Sequence, residues 1–323
     1  MPSFTSMKIV FLIVIVVALS LVNCSLSESQ AQKKDAPFKP WAEVENKDSQ
    51  NLAASSYDEG KQIGTITSKS LEEVSGLVAS RNKADVFWVN NDSGDKARLY
   101  AIQSSGKLLA TVEVEGATSI DWEELSIGPG KDGKPALYIF DAGDNDKVRD
   151  DYVVYRVPEP TNISDQKINK DLVESFPFSY PDGHHDCEGT FVDPASGQVF
   201  LITKTYKEDC GVYAFPLPLC AGEKIMLEKV SGKHIKSIER LRTVTGAAIS
   251  PDGLRVAIRT YFGAFELERE KGKPLTTIFD HEPTIIKAPL LKQAEAIAYS
   301  LDGKSILMTS EKIPAPIFQL KRK

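Results

Sequence analysis

The chain has little of several residue types on which common protein classes depend. It contains four cysteines, four histidines and three tryptophans in 323 residues. So few cysteines exclude a disulfide-dense scaffold, and so few histidines make a zinc centre a weak hypothesis. The sequence also has no Walker loop, GxSxG or HExxH motif.

Positive charge is in deficit as well. Lys and Arg number 39 against 45 Asp and Glu, which gives a formal net charge of −6. Because an acidic protein is repelled by the phosphate backbone, we expect no nucleic-acid partner. The hydrophobic fraction of 41% and the charged fraction of 26% are ordinary for a globular protein and exclude a disordered chain.

One long hydrophobic run lies at the N-terminus. Lys8 precedes an apolar run over 9–22, which has the length of a signal-peptide core and is short for a bilayer span. The residues 21–24, Leu-Val-Asn-Cys, resemble a bacterial lipobox, although Asn23 departs from the usual small residue. We therefore predict a signal peptide over 1–24, lipidation at Cys24 and export to the cell envelope (outer membrane, periplasm or cell surface). Secretion with cleavage elsewhere and an uncleaved anchor remain alternatives.

Residues 25–56 are polar and rich in Ser, Gln, Lys and Asp, without a sustained period of either kind. This composition indicates a flexible linker between the lipid anchor and a folded part that begins at residue 57. An ordered extension packed by Phe38 and Trp41 is the alternative.

Five segments of the remaining chain repeat one pattern, in which two polar residues flank a single position and a short apolar stretch follows. The second polar position, called the anchor below, is Ser75, Glu123, Glu188, Thr245 or Glu295. Turn residues and strand-like runs such as 86–89 and 137–140 come after each anchor. Further runs, including 108–114 and 275–279, are predicted as fourth strands of their repeats.

Four short antiparallel strands in one repeat are typical of a β-propeller blade. We therefore predict an all-β fold, a single propeller over residues 57–323 with five blades, and six blades as the alternative. The last repeat supplies only three strands. The run 61–66, just ahead of the first anchor, is expected to complete that blade and to close the ring.

In such a ring, the start of each first strand and the loop between the second and third strands open on the same face. The candidate metal ligands there are Glu73, Asp121, Glu123, Asp186, Glu188 and Glu295, and the loops add the pocket residues Asp92, Asp141, Asp144, Lys204 and Arg259. Two unit charges 6 Å apart repel by roughly 3 kcal/mol at an effective dielectric of 20. The all-oxygen setting therefore favours a calcium ion, with magnesium less suitable. The alternative is that these carboxylates accept backbone N–H groups of neighbouring blades.

Several short motifs carry a family resemblance. They are the runs 91–94 (Asn-Asp-Ser-Gly), 121–125 (Asp-Trp-Glu-Glu-Leu), 141–145 (Asp-Ala-Gly-Asp-Asn), 155–159 (Tyr-Arg-Val-Pro-Glu) and 186–189 (Asp-Cys-Glu-Gly). They resemble motifs of bacterial exported propellers related to the SdiA-regulated and phytase-like (esterase-like) groups. This resemblance implies a propeller and often bound calcium, but it fixes no activity, because propellers host unrelated functions.

Cysteine placement predicts one disulfide. An extended strand between Cys210 and Cys220 would hold them about 30 Å apart, beyond any bridge. Cys187 and Cys210 are expected on the same face of one blade, and an exported protein favours their oxidation.

Two function classes stay open. The first is a binding or interaction module of the envelope, whose partner is an unknown small molecule or envelope protein. It is favoured because few positive residues besides Lys204 and Arg259 suit a phosphate. The alternative is a calcium-dependent phosphoester or ester hydrolase, in which a carboxylate activates water. Its catalytic residues are unknown, with Glu123, Glu188 and His185 as candidates.

Overall fold

The computed structural model describes residues 56–206, 210–230 and 243–323. The predicted signal peptide, the lipidation site Cys24 and all of the predicted linker except Ser56 lie outside these residues. Within them, no helix combines the length and hydropathy needed to span a bilayer.

The regular secondary structure of the described chain consists almost entirely of short strands. In chain order they are β1 Lys61–Ile66, β2 Val74–Ala79, β3 Val86–Asn91, β4 Arg98–Gln103, β5 Leu108–Val114, β6 Trp122–Pro129, β7 Pro135–Asp141, β8 Val153–Pro158, β9 Gln166–Ile168, β10 Glu174–Ser179, β11 Cys187–Val192, β12 Val199–Thr203, β13 Val212–Ala214, β14 Ile225–Met226, β15 Glu228–Lys229, β16 Val244–Ile249, β17 Arg255–Thr260, β18 Gly263–Glu268, β19 Thr284–Ile286, β20 Ala294–Tyr299, β21 Ser305–Ser310 and β22 Ala315–Lys321. Three short 3-10 helices, Lys69–Leu71, Lys170–Leu172 and Leu275–Asp280, connect them.

The strands form five sheets, which are the blades of a β-propeller. Blade 1 has the order β2-β3-β4-β5-β9, blade 2 β6-β7-β8-β10-β14, blade 3 β11-β12-β13-β15, blade 4 β16-β17-β18-β19 and blade 5 β20-β21-β22-β1. Each inner strand contacts the inner strands of both neighbouring blades, so that β2, β6, β11, β16 and β20 complete a circle. The prediction of an all-β propeller with five blades is confirmed.

The ring closes where the two ends of the described chain meet. Strand β1 pairs antiparallel with β22, from Lys61 opposite Gln319 to Ile66 opposite Ala315. The N-terminal strand therefore supplies the fourth strand of the last blade, as the repeat count predicts. This pairing covers the outer edge of β22 and joins the two ends of the described chain in one blade.

The hydrophobic core lies between the blades. Trp88 of blade 1 shares a buried cluster with Trp122 and Leu137 of blade 2, and each other pair of adjacent blades has a corresponding cluster. A strand in the middle of a blade is thus covered on both faces. This explains why runs such as 137–140 are continuously apolar rather than alternating.

One predicted strand is a helix. Residues 275–279 fall in the 3-10 helix Leu275–Asp280, and the fourth strand of blade 4 is β19 instead. Leu275, Ile278 and Phe279 are buried together in the core between blades 3 and 4. Their spacing of three and four residues suits a helical turn, and an extended strand could not bury all of them on one face.

Every inner strand carries an irregularity at its anchor. The pairing register between the first and second strands shifts across Val74/Leu77, Trp122/Glu124, Cys187/Gly189, Val244/Gly246 and Ala294/Ile297. The extra residues of these β-bulges include the anchors themselves. Because a bulge re-aims the side chain at its extra residue, this repeated feature sets the direction of the anchors.

The same bulge shows that the predicted disulfide is wrong. Cys187 and Cys210 are both buried, and no bond joins them. Regular alternation would place Cys187 on the face of Gly189 and Phe191, but the extra residue at Glu188 reverses it. Cys187 therefore lies in the core between blades 2 and 3, whereas Cys210 lies in the core between blades 3 and 4.

A buried carboxylate fastens the closed ring. Glu266 of β18 accepts hydrogen bonds at Oε1 from the hydroxyl groups of Tyr57, at 2.5 Å, and Tyr299, at 2.6 Å. Its Oε2 lies 2.9 Å from Nη1 of Arg322. Residues near both ends of the described chain are thus bound to one side chain of blade 4.

We expect Glu266→Ala to lower the free energy of unfolding by about 3 kcal/mol, because Arg322 and two tyrosine hydroxyls lose a buried partner. The control is Glu268→Ala. Glu268 meets Arg322 at 3.4 Å but is 62% exposed, so its loss should cost less than about 0.5 kcal/mol. Urea denaturation measures both values, and equal losses would refute the role of Glu266 as the fastening residue.

Candidate metal centre

Two overlapping groups of carboxylates lie at the mouth of the central channel. Asp92, Asp121 and Glu123 form the first, called the outer triad, and Glu123, Asp186 and Glu188 form the second, called the inner triad. Within each triad, one oxygen from every residue lies within 4.8 Å of the other two. Residues 92, 121–123 and 186–188 come from three blades, and the ring alone brings them together.

The triads differ in their access to solvent. All residues of the inner triad are buried, with 3% of each exposed, whereas Asp92 and Asp121 of the outer triad are half-buried. Glu123 belongs to both triads and is the anchor of blade 2. The pocket therefore has a closed inner part and an outer part that opens toward solvent.

Burial and mutual repulsion make this arrangement costly for charged carboxylates. Burial, with the neighbouring Asp92, raises the pKa of Asp121 to about 7. Burial also raises the pKa of Glu188 to about 8, although Lys204 opposes this shift. The pKa values of Glu123 and Asp186 are raised too, chiefly by burial. A bound cation would remove the repulsion, and the donor set is all oxygen, which suits a hard divalent ion.

Lys204 brings a positive charge into the inner triad. Its Nζ donates to Glu188 Oε1 and, at 3.0 Å, to the hydroxyl of Tyr261. It also lies 5.0 Å from the ring centroid of Tyr261 and 5.9 Å from that of Tyr206. The Lys204 side chain is 1% exposed, and nearby carboxylates hold its pKa above the usual range despite burial.

The loop after β7 supports the outer triad. Asp141 accepts hydrogen bonds from the backbone N–H groups of Ile120 and Asp121, both at 3.0 Å, and pairs with Arg149 at 2.7 Å. Arg149 also donates to the carbonyl of Gly143 at 2.7 Å. Asp141 is therefore occupied with holding the backbone at Asp121.

Asp144 has a similar supporting part in this loop. Its carboxylate accepts from the Tyr152 hydroxyl at 2.5 Å and from the backbone N–H of Val148 at 2.9 Å. Its own backbone N–H donates to Asp186 Oδ1 at 2.9 Å. Asp144 thus joins the loop of blade 2 to a carboxylate of the inner triad through its backbone.

A glycine is required at position 143 because the side chains of Asp121 and Glu123 approach its backbone closely. A Cβ atom at this position would clash with the carboxylate of Asp121 and would lie 2.7 Å from Glu123 Oε1. Only a residue without a side chain leaves the space between these carboxylates open.

Other predicted site residues lie outside both triads. Glu73 pairs with Lys312 at the rim, where its side chain is 37% exposed. Arg259 donates to the carbonyl of Pro289 at 3.2 Å; burial lowers its pKa to about 10, and the attraction of Glu295 opposes that shift. Among the described residues, the groups that could hold a metal ion include neither Glu73 nor Glu295.

His185 is engaged elsewhere. Its Nε2 lies 2.9 Å from Asp182 Oδ1 and 3.1 Å from the hydroxyl of Tyr213, and its ring packs edge-on against Tyr180. Among the described residues, no histidine belongs to a group that could hold a metal ion.

Sequence reasoning missed Glu124, which follows the anchor of blade 2. This side chain is fully buried and accepts from the backbone N–H groups of Leu125 at 2.9 Å and Ala247, in blade 4, at 3.1 Å. Burial raises its pKa, while these bonds and one from Leu77 of blade 1 oppose the rise. A second acidic residue after the anchor occurs in one repeat only, and that departure from the pattern was the available signal.

Ser75 and Thr245 show what the two uncharged anchors do. The Ser75 hydroxyl donates to the carbonyl of Glu123 at 2.5 Å, and the Thr245 hydroxyl donates to that of Ala294 at 2.7 Å. They tie adjacent inner strands together, and Glu124 ties blades that are not adjacent. Interblade bonding by a first-strand carboxylate therefore occurs at Glu124.

Known proteins give no argument about the function of this chain. No protein-family model matches the chain, and no curated protein matches it significantly. Among solved structures, a crystal structure of a nidogen/laminin complex is similar, with a TM-score of 0.43, 10% sequence identity and coverage of 73% of this chain and 72% of that chain. The propeller assignment rests on the strand pairing itself.

We expect the metal-free protein to lose stability as pH rises. The raised pKa values of Asp121 and Glu188 mean that the folded state binds more protons than the unfolded state between about pH 4 and pH 8. Stability is then fully present below the unfolded pKa values and is lost as pH rises through about 7 to 8. Calorimetry in chelator should show the melting temperature falling by about 5 °C or more from pH 5 to pH 8.

The control for this prediction is the variant Asp121→Asn/Glu188→Gln, which should have a flatter profile. A melting temperature of the parent protein that rises or stays constant over the same interval would contradict the deprotonation of these two buried carboxyl groups as the cause of the loss.

Proposed function

We propose that this protein is an exported, lipid-anchored β-propeller that binds calcium at its acidic channel mouth and acts as a binding or interaction module of the cell envelope. The observation that carries the proposal is the pair of triads that share Glu123. Five carboxylates gather there, with Lys204 bound to one of them.

The donor set supports calcium over a softer metal ion. Every candidate ligand atom is a carboxylate oxygen, and the space that Gly143 leaves open lies directly against Asp121 and Glu123. Calcium takes six to eight oxygen ligands in flexible geometry, and water or a partner's oxygen can supply those that the protein does not. The ion would neutralise the pocket.

An apolar rim supports the interaction module. Ile120, Val148, Tyr206, Phe262 and Leu290 are all at least 38% exposed. They lie in segments that open at the acidic end of the inner strands: ahead of β6 and β20, and after β7, β12 and β17. Their shared face with the triads supports a partner that binds there. A partner that covers this rim would also close the outer triad.

Export and the family type rest on the sequence. The apolar run over 9–22 with Cys24 supports a lipid-anchored protein of the outer membrane, periplasm or cell surface. The motifs that resemble the SdiA-regulated and phytase-like groups contain Asp92, Asp121 and Asp186, all of which belong to the triads. The resemblance therefore concerns the same residues as the proposed site.

A calcium-dependent phosphoester or ester hydrolase is the second candidate. The half-buried outer triad favours it, because an ion held there would remain open to a substrate. Glu188, whose pKa burial raises to about 8, can hold or release a proton near neutral pH beside Lys204.

Calcium titration tests the cation site. We expect saturating calcium to raise the melting temperature by about 5 °C or more. Asp121→Asn should weaken calcium binding about tenfold or more, because it removes a ligand charge from the outer triad. Asp132→Asn is the matched control, since Asp132 lies in the turn at the other end of β6 and β7 and is 61% exposed.

A glycine pair provides an independent check of the same site. Gly143→Ala should weaken calcium binding because its methyl group would displace Glu123 Oε1. Gly130→Ala, whose methyl group would meet Asp132, Lys134 and Ala136 at the far end of that hairpin, should not. Unchanged affinity in both Asp121→Asn and Gly143→Ala would refute the site. Calcium-dependent turnover of phosphoesters or lactones, lost in Glu123→Gln, would favour the hydrolase over the module.

Lipid anchoring has its own test. When expressed in a bacterium, the protein should fractionate with membranes, and Cys24→Ala should release it because the acylated side chain is lost. Mass spectrometry of the N-terminal peptide measures the lipid directly. A parent protein that is soluble, or that still begins at its first residue, would rule out the anchor.

A further inference from the structure

Lys204 places its positive charge in the inner triad, where a second metal ion would otherwise be expected in addition to one in the outer triad. Its Nζ binds the Glu188 carboxylate of the inner triad, and Asp186 and Glu295 also attract its charge. The ammonium is held in place by the Tyr261 hydroxyl at 3.0 Å and by the faces of two tyrosine rings. The side chain is 1% exposed, so the ammonium is shielded from solvent in this position.

The cation that acts on Asp121 of the outer triad is Arg149, which is bound to carboxylates outside that triad. It pairs with Asp141 and Asp151, at 2.7 Å and 3.0 Å. Asp92 and Asp121 instead face each other and Glu123 as three acidic groups. The two triads therefore have similar ligands but different charge, since one contains a lysine ammonium and the other does not.

We propose that Lys204 is a built-in counter-ion that fills the inner triad, so that the pocket takes a single divalent ion, at the outer triad of Asp92, Asp121 and Glu123. This inference rests on the proposed calcium site and states where in it the ion lies. The ammonium and a divalent ion would repel each other across Glu188, and the contacts with Glu188 and Tyr261 hold the lysine in place. The single ion then lies on the solvent side, where it can exchange or meet a partner.

The test counts and locates ions in the full-length protein. Isothermal titration of the metal-free protein with calcium should give one site per chain. Lys204→Met should give two, because the inner triad then lacks its internal charge. Lys204→Arg keeps the charge and is the matched control, with one site expected.

Crystals soaked in terbium locate the ion without relying on a folded variant. In the parent protein, one anomalous peak is expected within reach of Asp92, Asp121 and Glu123. A peak between Asp186 and Glu188, two sites in the parent protein, or one site in a folded Lys204→Met would overturn the inference while the calcium site stands. Absence of any calcium or terbium binding would instead reject the proposed function.

Discussion

The whole site depends on the packing of five inner strands around one axis. Strands β2, β6, β11, β16 and β20 each contact two neighbours, so residues far apart in sequence meet at the ends of these strands. At one end the meeting residues are mostly acidic, and the ring does not let them separate. The energy of five buried or half-buried carboxylates is therefore set by the fold and has to be offset by cations within reach.

The structure meets this electrostatic cost in several ways around the ring. Arg149 pairs with Asp141, and Lys204 donates to Glu188 and opposes the rise in the pKa of that residue. Glu124 accepts one backbone N–H, that of Ala247, from across the axis, which satisfies a carboxyl group without a cation. The carboxylates of the outer triad have their repulsion less fully compensated, and solvent has access to them. A low-dielectric cluster with one incompletely neutralised side is a natural place for a mobile ion.

How far sequence reasoning reached depended on which features repeat. The apolar second strands recur in every blade, and that recurrence predicted the blade number and the closing strand at 61–66. The β-bulge also recurs, but its mark in residue type is slight, a glycine after the anchor at Gly76, Gly189 and Gly246. The prediction relied on regular alternation instead, and the bulge turned Cys187 to the unexpected face. A strand was predicted in place of the helix Leu275–Asp280 because a short apolar run is compatible with the period of a strand or of a helix. The core shows that the residues on one face of the helix are buried.

In the site, too, the features that repeat from blade to blade could be predicted from the sequence. Carboxylates at strand starts could be foreseen, because the propeller repeats those positions. Their sorting into triads could not, since it depends on the length of the loop that carries Gly143 and Arg149, which has no counterpart in the other blades.

The residues that close the ring and the carboxylates at the channel mouth lie in different blades of the propeller. The closure relies on Glu266, Tyr57, Tyr299 and Arg322 at the junction of blades 4 and 5. The triads draw their residues from blades 1 to 3, which the chain joins covalently in sequence. Repulsion between carboxylates thus acts mainly across blades linked by continuous chain. The non-covalent part of the closure is the pairing of β1 with β22, and Tyr57 and Arg322, on its two sides, share the buried carboxylate of Glu266.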